Sequence, residues 1–106
     1  MYRDLVPAEI KKILDNKNGT RLIDVREEWE HKTARIESSE LMPLSNFMEH
    51  VQELNKEDEL IFYCHTGVRS VNVCLFLAER GFKNLINLKG GIERWSNEID
   101  PTIPHY

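Results

Sequence analysis

Short apolar runs alternate along this chain with stretches of helical period. Arg21-Leu22-Ile23-Asp24-Val25, Leu60-Ile61-Phe62-Tyr63 and Leu85-Ile86-Asn87-Leu88 are such runs, and Leu41-Met42-Pro43-Leu44 is a weaker fourth. Continuous apolar runs of this length are how strands buried on both faces read. Between them the period changes. Pro7 suits the first position of a helix whose Ile10, Ile13 and Leu14 share one face, and Asn18-Gly19 ends that helix as a turn. Ser45 is the predicted N-cap of a helix bearing Phe47, Val51 and Leu54. After Arg69, the positions Val71, Cys74, Leu75 and Ala78 keep a helical period, and Gly81 stands where a left-handed residue would stop it. Gly90-Gly91 opens a last short helix carrying Ile92 and Trp95. Strand-helix alternation predicts an α/β fold with right-handed crossovers and a mainly parallel sheet covered on both faces. Ligands in such sheets sit beyond the carboxyl ends of the strands. That rule singles out Asp24-Val25-Arg26 and the segment from Cys64 to Ser70.

Composition narrows the picture. At 106 residues there is room for one domain, 1–106, without a second core. The formal net charge of −4 argues against a nucleic-acid or anionic-membrane partner. No apolar run is long enough to span a bilayer, and the early charges at Arg3 and Asp4 break up any signal-peptide core, so the expected location is cytoplasmic. Cys64 and Cys74 match neither a CxxC pair nor a zinc spacing, and both are expected as free thiols in a reducing cytosol. His31, His50 and His105 are scattered among polar neighbours and read as solvated, so no metal and no other cofactor is expected.

Cys64-His65-Thr66-Gly67-Val68-Arg69-Ser70 is the most informative stretch. A cysteine leaves the end of a buried strand, a glycine sits mid-loop, and an arginine closes the loop as a helix begins. A loop curled around the sulfur would turn successive N–H groups inward as an anion nest, and the helix would add its own free N–H groups and positive dipole end. Gly67 permits the dihedrals that such a curl requires. Together these favour a thiolate, the nucleophilic form of cysteine, without a general base beside it in sequence. Cys74 shares an apolar helix face with Val71, Leu75 and Ala78 and reads as core.

This loop resembles the active-site loop of the rhodanese family. Leu22-Ile23-Asp24-Val25-Arg26-Glu27 is similar to that family's signature at the end of its second strand. Gly81-Phe82, Asn84-Leu85, Leu88-Lys89-Gly90-Gly91-Ile92 and Trp95 resemble its C-terminal half. The resemblance covers nearly the whole chain and implies a parallel sheet of about five strands flanked by helices. Four residues separate Cys64 from Arg69. Related phosphatases carry a loop one residue longer to accommodate phosphate, and tyrosine phosphatases place histidine where Tyr63 stands, so the resemblance favours sulfur. It implies a thiosulfate sulfurtransferase type of reaction. Cys64 takes a sulfane sulfur from a small sulfur-containing anion donor, forms a persulfide, and passes the sulfur to a thiol or cyanide acceptor. The implied binding residues are His65, Thr66, Gly67, Val68 and Arg69.

Other residues admit plainer readings. Arg69 either orients the loop or steers an anionic donor, or it pairs with a nearby carboxylate. His65 lines the pocket mouth rather than acting as a base, and Thr66 either donates to a bound anion or braces the turn. Asp24 is expected to satisfy Arg26, and Trp29, Trp95 and Phe82 to lie in the core. Where many family members read Gly-His-Ile-Pro-Gly-Ala, this chain has Ala34-Arg35-Ile36-Glu37-Ser38-Ser39, which keeps the isoleucine and loses both glycines. The Pro-rich tail from Ile99 to Tyr106 resembles the ending of rhodanese domains fused to enzymes that activate sulfur-carrier proteins. It either packs against the body or recognises such a partner. A redox-sensing or interaction module, and a phosphatase or arsenate reductase, are the alternatives to a sulfurtransferase.

Overall fold

The computed structural model describes residues 1–16 and 19–106. Its centre is a five-stranded, wholly parallel sheet in the order β1-β5-β4-β2-β3, with β1 Tyr2–Leu5, β2 Arg21–Asp24, β3 Glu40–Leu41, β4 Glu59–Tyr63 and β5 Asn84–Leu88. Helices α1 Pro7–Asp15, α2 Glu28–Thr33, α3 Phe47–His50 and α4 Val68–Ala78 lie in the connections between them, and α5 Gly91–Glu98 follows β5. Among the described residues, no helix is long and apolar enough to cross a membrane.

The strand period of two sorts the core into two layers. Leu60, Phe62 and Cys64 face α3 and α4, together with Ile23, Val25 and Leu85. Ile61 and Tyr63 face the other way with Leu22, Ile86 and Leu88, under α1 and α5. Ile10, Ile61 and Leu88 have no exposed surface, and burying each such side chain contributes about 1.5–3 kcal/mol. This is why the central strands read as unbroken apolar runs.

Several expectations need correction. β1 at the sheet edge escaped the apolar pattern because Arg3 and Asp4 are exposed. The helix expected after Ser45 is broken into a 3-10 turn at Leu44–Asn46, one turn of α3 and a second 3-10 turn at Val51–Glu53. Ser45 does not cap it. Its hydroxyl is drawn to Glu27 Oε1 at 2.6 Å. The expected Asn18-Gly19 turn falls partly outside the described residues, and Gly19 has φ +85°. Trp29 is 62 % exposed rather than core, whereas Trp95 and Phe82 are buried.

Candidate active site

Cys64 is the first residue beyond β4, at the carboxyl end of the sheet. Gly67 has φ +102° and turns the chain into α4, so that the sulfur lies against the helix start. Its Sγ accepts the Gly67 N–H at 3.1 Å and the Ser70 N–H at 3.5 Å, and the Ser70 hydroxyl lies 3.4 Å away. No side chain of the N-cap residue, Gly67, caps α4. The sulfur serves as acceptor for the third helical N–H, the place a capping oxygen usually fills. The nest is therefore built from two amides, of Gly67 and Ser70.

α5 holds the loop from behind. Ile92 N donates to Cys64 O at 2.9 Å and Glu93 N donates to His65 O at 3.1 Å, so the start of this helix grips two consecutive loop carbonyls. Gly91, at φ +63°, makes the approach possible, since a Cβ there would overlap both carbonyl groups. The sequence marks Gly90-Gly91 as a helix start and as part of the family resemblance, but contact with the loop is a long-range fact that no local pattern shows.

Arg69 is paired with a carboxylate. Its guanidinium makes a two-pronged ion pair with Glu30 of α2, at 2.8 and 2.9 Å. The Glu30 side chain is 5 % exposed and also accepts the Glu27 N–H at 2.9 Å and the Tyr106 hydroxyl at 2.8 Å. Burial alone would raise the Glu30 carboxyl. Arg69, the Glu27 amide and Tyr106 outweigh it and hold the group down at about 2. The Glu30 partner lies thirty-nine residues before Arg69, which no local pattern reveals.

Asp24 and Arg26 form a second pair, fully buried, with Arg26 Nη2 2.7 Å and Nε 2.9 Å from the carboxylate oxygens. That is the expected partner for Asp24. His31 is not solvated as expected, since its Nδ1 lies 2.8 Å from Asp24 Oδ2. His50 and His105 are likewise paired, with Glu53 and Glu93, both at 3.0 Å. Tyr106 links the two buried pairs. Its hydroxyl accepts from Arg26 Nη1 at 2.9 Å and donates to Glu30, and its ring stacks on His65 with centroids 4.3 Å apart. The tail thus packs against the body. Ile103 is buried, and Ser96 Oγ donates to its carbonyl at 2.6 Å.

His65 therefore stands beside Tyr106 and Glu93, with its Nε2 3.5 Å from Glu93 Oε1. Thr66 and Val68 are exposed at the loop surface. Of the loop residues singled out from sequence, Gly67 donates to the sulfur, and Ser70 at the end of the loop adds its backbone N–H, with its hydroxyl between the sulfur and Asn87. Among the described residues, no cluster of three metal-ligating side chains occurs.

The sheet and its helices are those of a known class. The profile of the rhodanese-like domain family matches residues 6–98, and the chain belongs to that family. It is 33 % identical to a putative sulfurtransferase of Bacillus subtilis, YtwF, over 93 % of this chain and 95 % of that protein. It is 32 % identical to the probable adenylyltransferase/sulfurtransferase MoeZ of Mycobacterium tuberculosis, covering 96 % of this chain but only 26 % of MoeZ. Among solved structures, a rhodanese-related protein from Thermoplasma volcanium superposes with TM-score 0.80 at 28 % identity, over 92 % of this chain and 94 % of that one. A rhodanese-like domain protein from Staphylococcus aureus shares the fold with TM-score 0.83, over 98 % of each chain, at 24 % identity.

Proposed function

We propose that this protein is a sulfurtransferase in which Cys64 carries a sulfane sulfur as a persulfide. The observation that carries the reading is the sulfur at the start of α4, facing the N–H groups of Gly67 and Ser70. In the first half-reaction the Cys64 thiolate attacks the outer sulfur of thiosulfate. The S–S bond of the donor breaks, its electron pair leaves with sulfite, and the persulfide Cys64–S–S⁻ remains. In the second, cyanide or a thiolate attacks the outer sulfur, giving thiocyanate or a new persulfide and returning the Cys64 thiolate. Each step moves one sulfur atom and leaves no net oxidation to balance, and the sequence is of the ping-pong kind. The two amides stabilise charge on the inner sulfur, as an oxyanion hole does for oxygen. Arg69 is committed to Glu30, so donor capture falls to the loop amides and the helix dipole rather than to a free guanidinium.

Intact mass after thiosulfate treatment tests the proposal. The expected result is a gain of one sulfur atom per chain, removed by cyanide and absent in Cys64→Ser. A chain that gains nothing from thiosulfate or from a small-molecule persulfide overturns it and favours the sensing reading. Turnover of an aryl phosphate would favour the phosphatase instead.

A further inference from the structure

A line of polar groups runs from the buried sulfur along one face of the sheet to its exposed edge. Asn87 is the one polar residue in the buried part of β5, and it lies directly beside Asp4 in the parallel register of β1 and β5. Its Nδ2 donates to Asp4 Oδ1 at 2.9 Å. A carboxylate only accepts, so this contact fixes which way the amide points. Asn87 Oδ1 is thereby turned toward the Ser70 hydroxyl, which donates to it. Ser70 and Asn87 are both buried.

The serine hydroxyl has one proton and two claimants. Asn87 Oδ1 can only accept, and Cys64 Sγ lies 3.4 Å from the same oxygen. With the proton committed to Asn87, Ser70 presents a lone pair to the sulfur. That arrangement suits a neutral S–H, which donates to the serine oxygen. A thiolate gains the hydroxyl only when the Ser70–Asn87 bond breaks.

We infer that Asn87, oriented by Asp4, is a positioning residue that withholds the Ser70 proton from Cys64 and so restrains formation of the thiolate. The two backbone amides favour the anion and the asparagine opposes it. In the persulfide the charge resides on the outer sulfur and the inner one is neutral, so the Ser70–Asn87 bond is retained. The relay thus favours the sulfur-loaded form over the bare thiolate. This last step rests on the proposed persulfide, whereas the restraint on ionisation does not.

Other charges near the sulfur are Arg69 with its partner Glu30, His65 with Glu93, Asp4 itself and Lys89, which borders the same cleft as Asp4 and Asn87. Asn87 is uncharged, so replacing it leaves that field intact. The test is the rate of alkylation of Cys64 by iodoacetamide against pH, in which the thiolate displaces iodide. Asn87→Leu, which keeps the branching of the side chain and removes its polar atoms, frees the hydroxyl. Alkylation below neutral pH is expected to rise about 2- to 10-fold, the worth of one neutral hydrogen bond, with the whole profile moved to lower pH. Ser70→Ala is expected to change little in the native background and to reverse the gain in Asn87→Leu, a non-additive cycle. A profile left in place or moved to higher pH in Asn87→Leu, or an additive cycle, overturns the inference. If Asn87→Leu does not fold, Asp4→Ser at the exposed edge decides. Its increase must persist in ~1 M salt, where the Debye length is about 3 Å and the lost charge is screened. An increase that vanishes there would belong to that charge and overturns the relay. Alkylation proceeds whether or not thiosulfate loads the protein, so failure here and failure of the sulfurtransferase reading are separable.

Discussion

Cys64 and Cys74 are almost equally buried, at 1 % and 0 % exposed, and lie on the same side of the sheet. What points at each sulfur differs. Cys74 sits on the inner face of α4 in the cluster of Val73, Leu77 and Phe62, with no side-chain or loop donor among the described residues aimed at it, and burial pushes its thiol up to about 12. Cys64 stands one helix turn before α4 and receives two backbone N–H groups. Burial without donors makes a cysteine inert, and burial with them provides an anion site. Lack of exposure therefore does not mark Cys64 as structural.

The strongest way to break this contrast is to push the loop off α5. Gly91→Ala places a methyl group into the carbonyls of Cys64 and His65, and backbone cannot step aside as a flexible side chain can. The expected loss exceeds about 4 kcal/mol, large enough that the chain does not fold at 37 °C. Gly19→Ala is the control. It has a similar positive φ and no atom of the described residues within 4 Å of an added Cβ, so it is expected to cost only about 1–2 kcal/mol of backbone strain. Urea denaturation of both variants measures the difference. If the two cost the same, the grip of α5 on the loop has no energetic weight.

Glu30→Gln comes next. The folded carboxyl lies near 2 against an ordinary 4.5, so the stabilisation is present above about pH 5 and is lost as pH falls toward 2. That gap corresponds to about 3 kcal/mol at neutral pH. The variant is expected to lose that amount at pH 7 and to show a flatter fall in stability between pH 5 and 2. Thermal unfolding across that range reads both. A variant whose acid sensitivity matches the native protein would mean that other carboxylates dominate the acid limb.

Cys74→Ala tests the inert half of the contrast. Truncating this buried side chain is expected to cost about 1–2 kcal/mol. Uptake of one sulfur per chain from thiosulfate should be unchanged by mass. Loss of uptake with a native melting profile would mean that Cys74 takes part in the chemistry.

Much of this arrangement is legible from sequence because it depends on near neighbours. β2, β4 and β5 are buried on both faces and so show as apolar runs, and Cys64, Gly67 and the α4 start fall within a few residues of one another. What escaped is long-range. Glu30, Tyr106 and Gly91 reach the site from three other segments, and nothing local shows that they meet it. Trp29 looked like core because large aromatics usually are, yet it packs edge-on to Tyr106 while remaining mostly exposed. Asn87 did carry a signal, a polar residue inside an apolar run, whose meaning depended on Asp4 in a strand the pattern did not reveal.

The smallest expected effect lies on the opposite face of the sheet from both sulfurs. Ser38 has φ 71°, a left-handed conformation that costs a non-glycine residue about 1–2 kcal/mol, and it stands where many family members carry glycine. Glycine relieves the strain but loses more entropy on folding, so Ser38→Gly is expected to gain a net ~0.5–1 kcal/mol, read as a higher urea midpoint at unchanged slope. The loop around it is tied to the residue before Cys64, because the Tyr63 hydroxyl accepts the Ile36 N–H at 3.2 Å and meets Ser39 Oγ at 2.9 Å. Stability should therefore rise while sulfur uptake stays constant. If uptake changes as well, strain in residues 34–39 reaches Cys64 through Tyr63, and the donors touching the sulfur are not sufficient to separate the two cysteines.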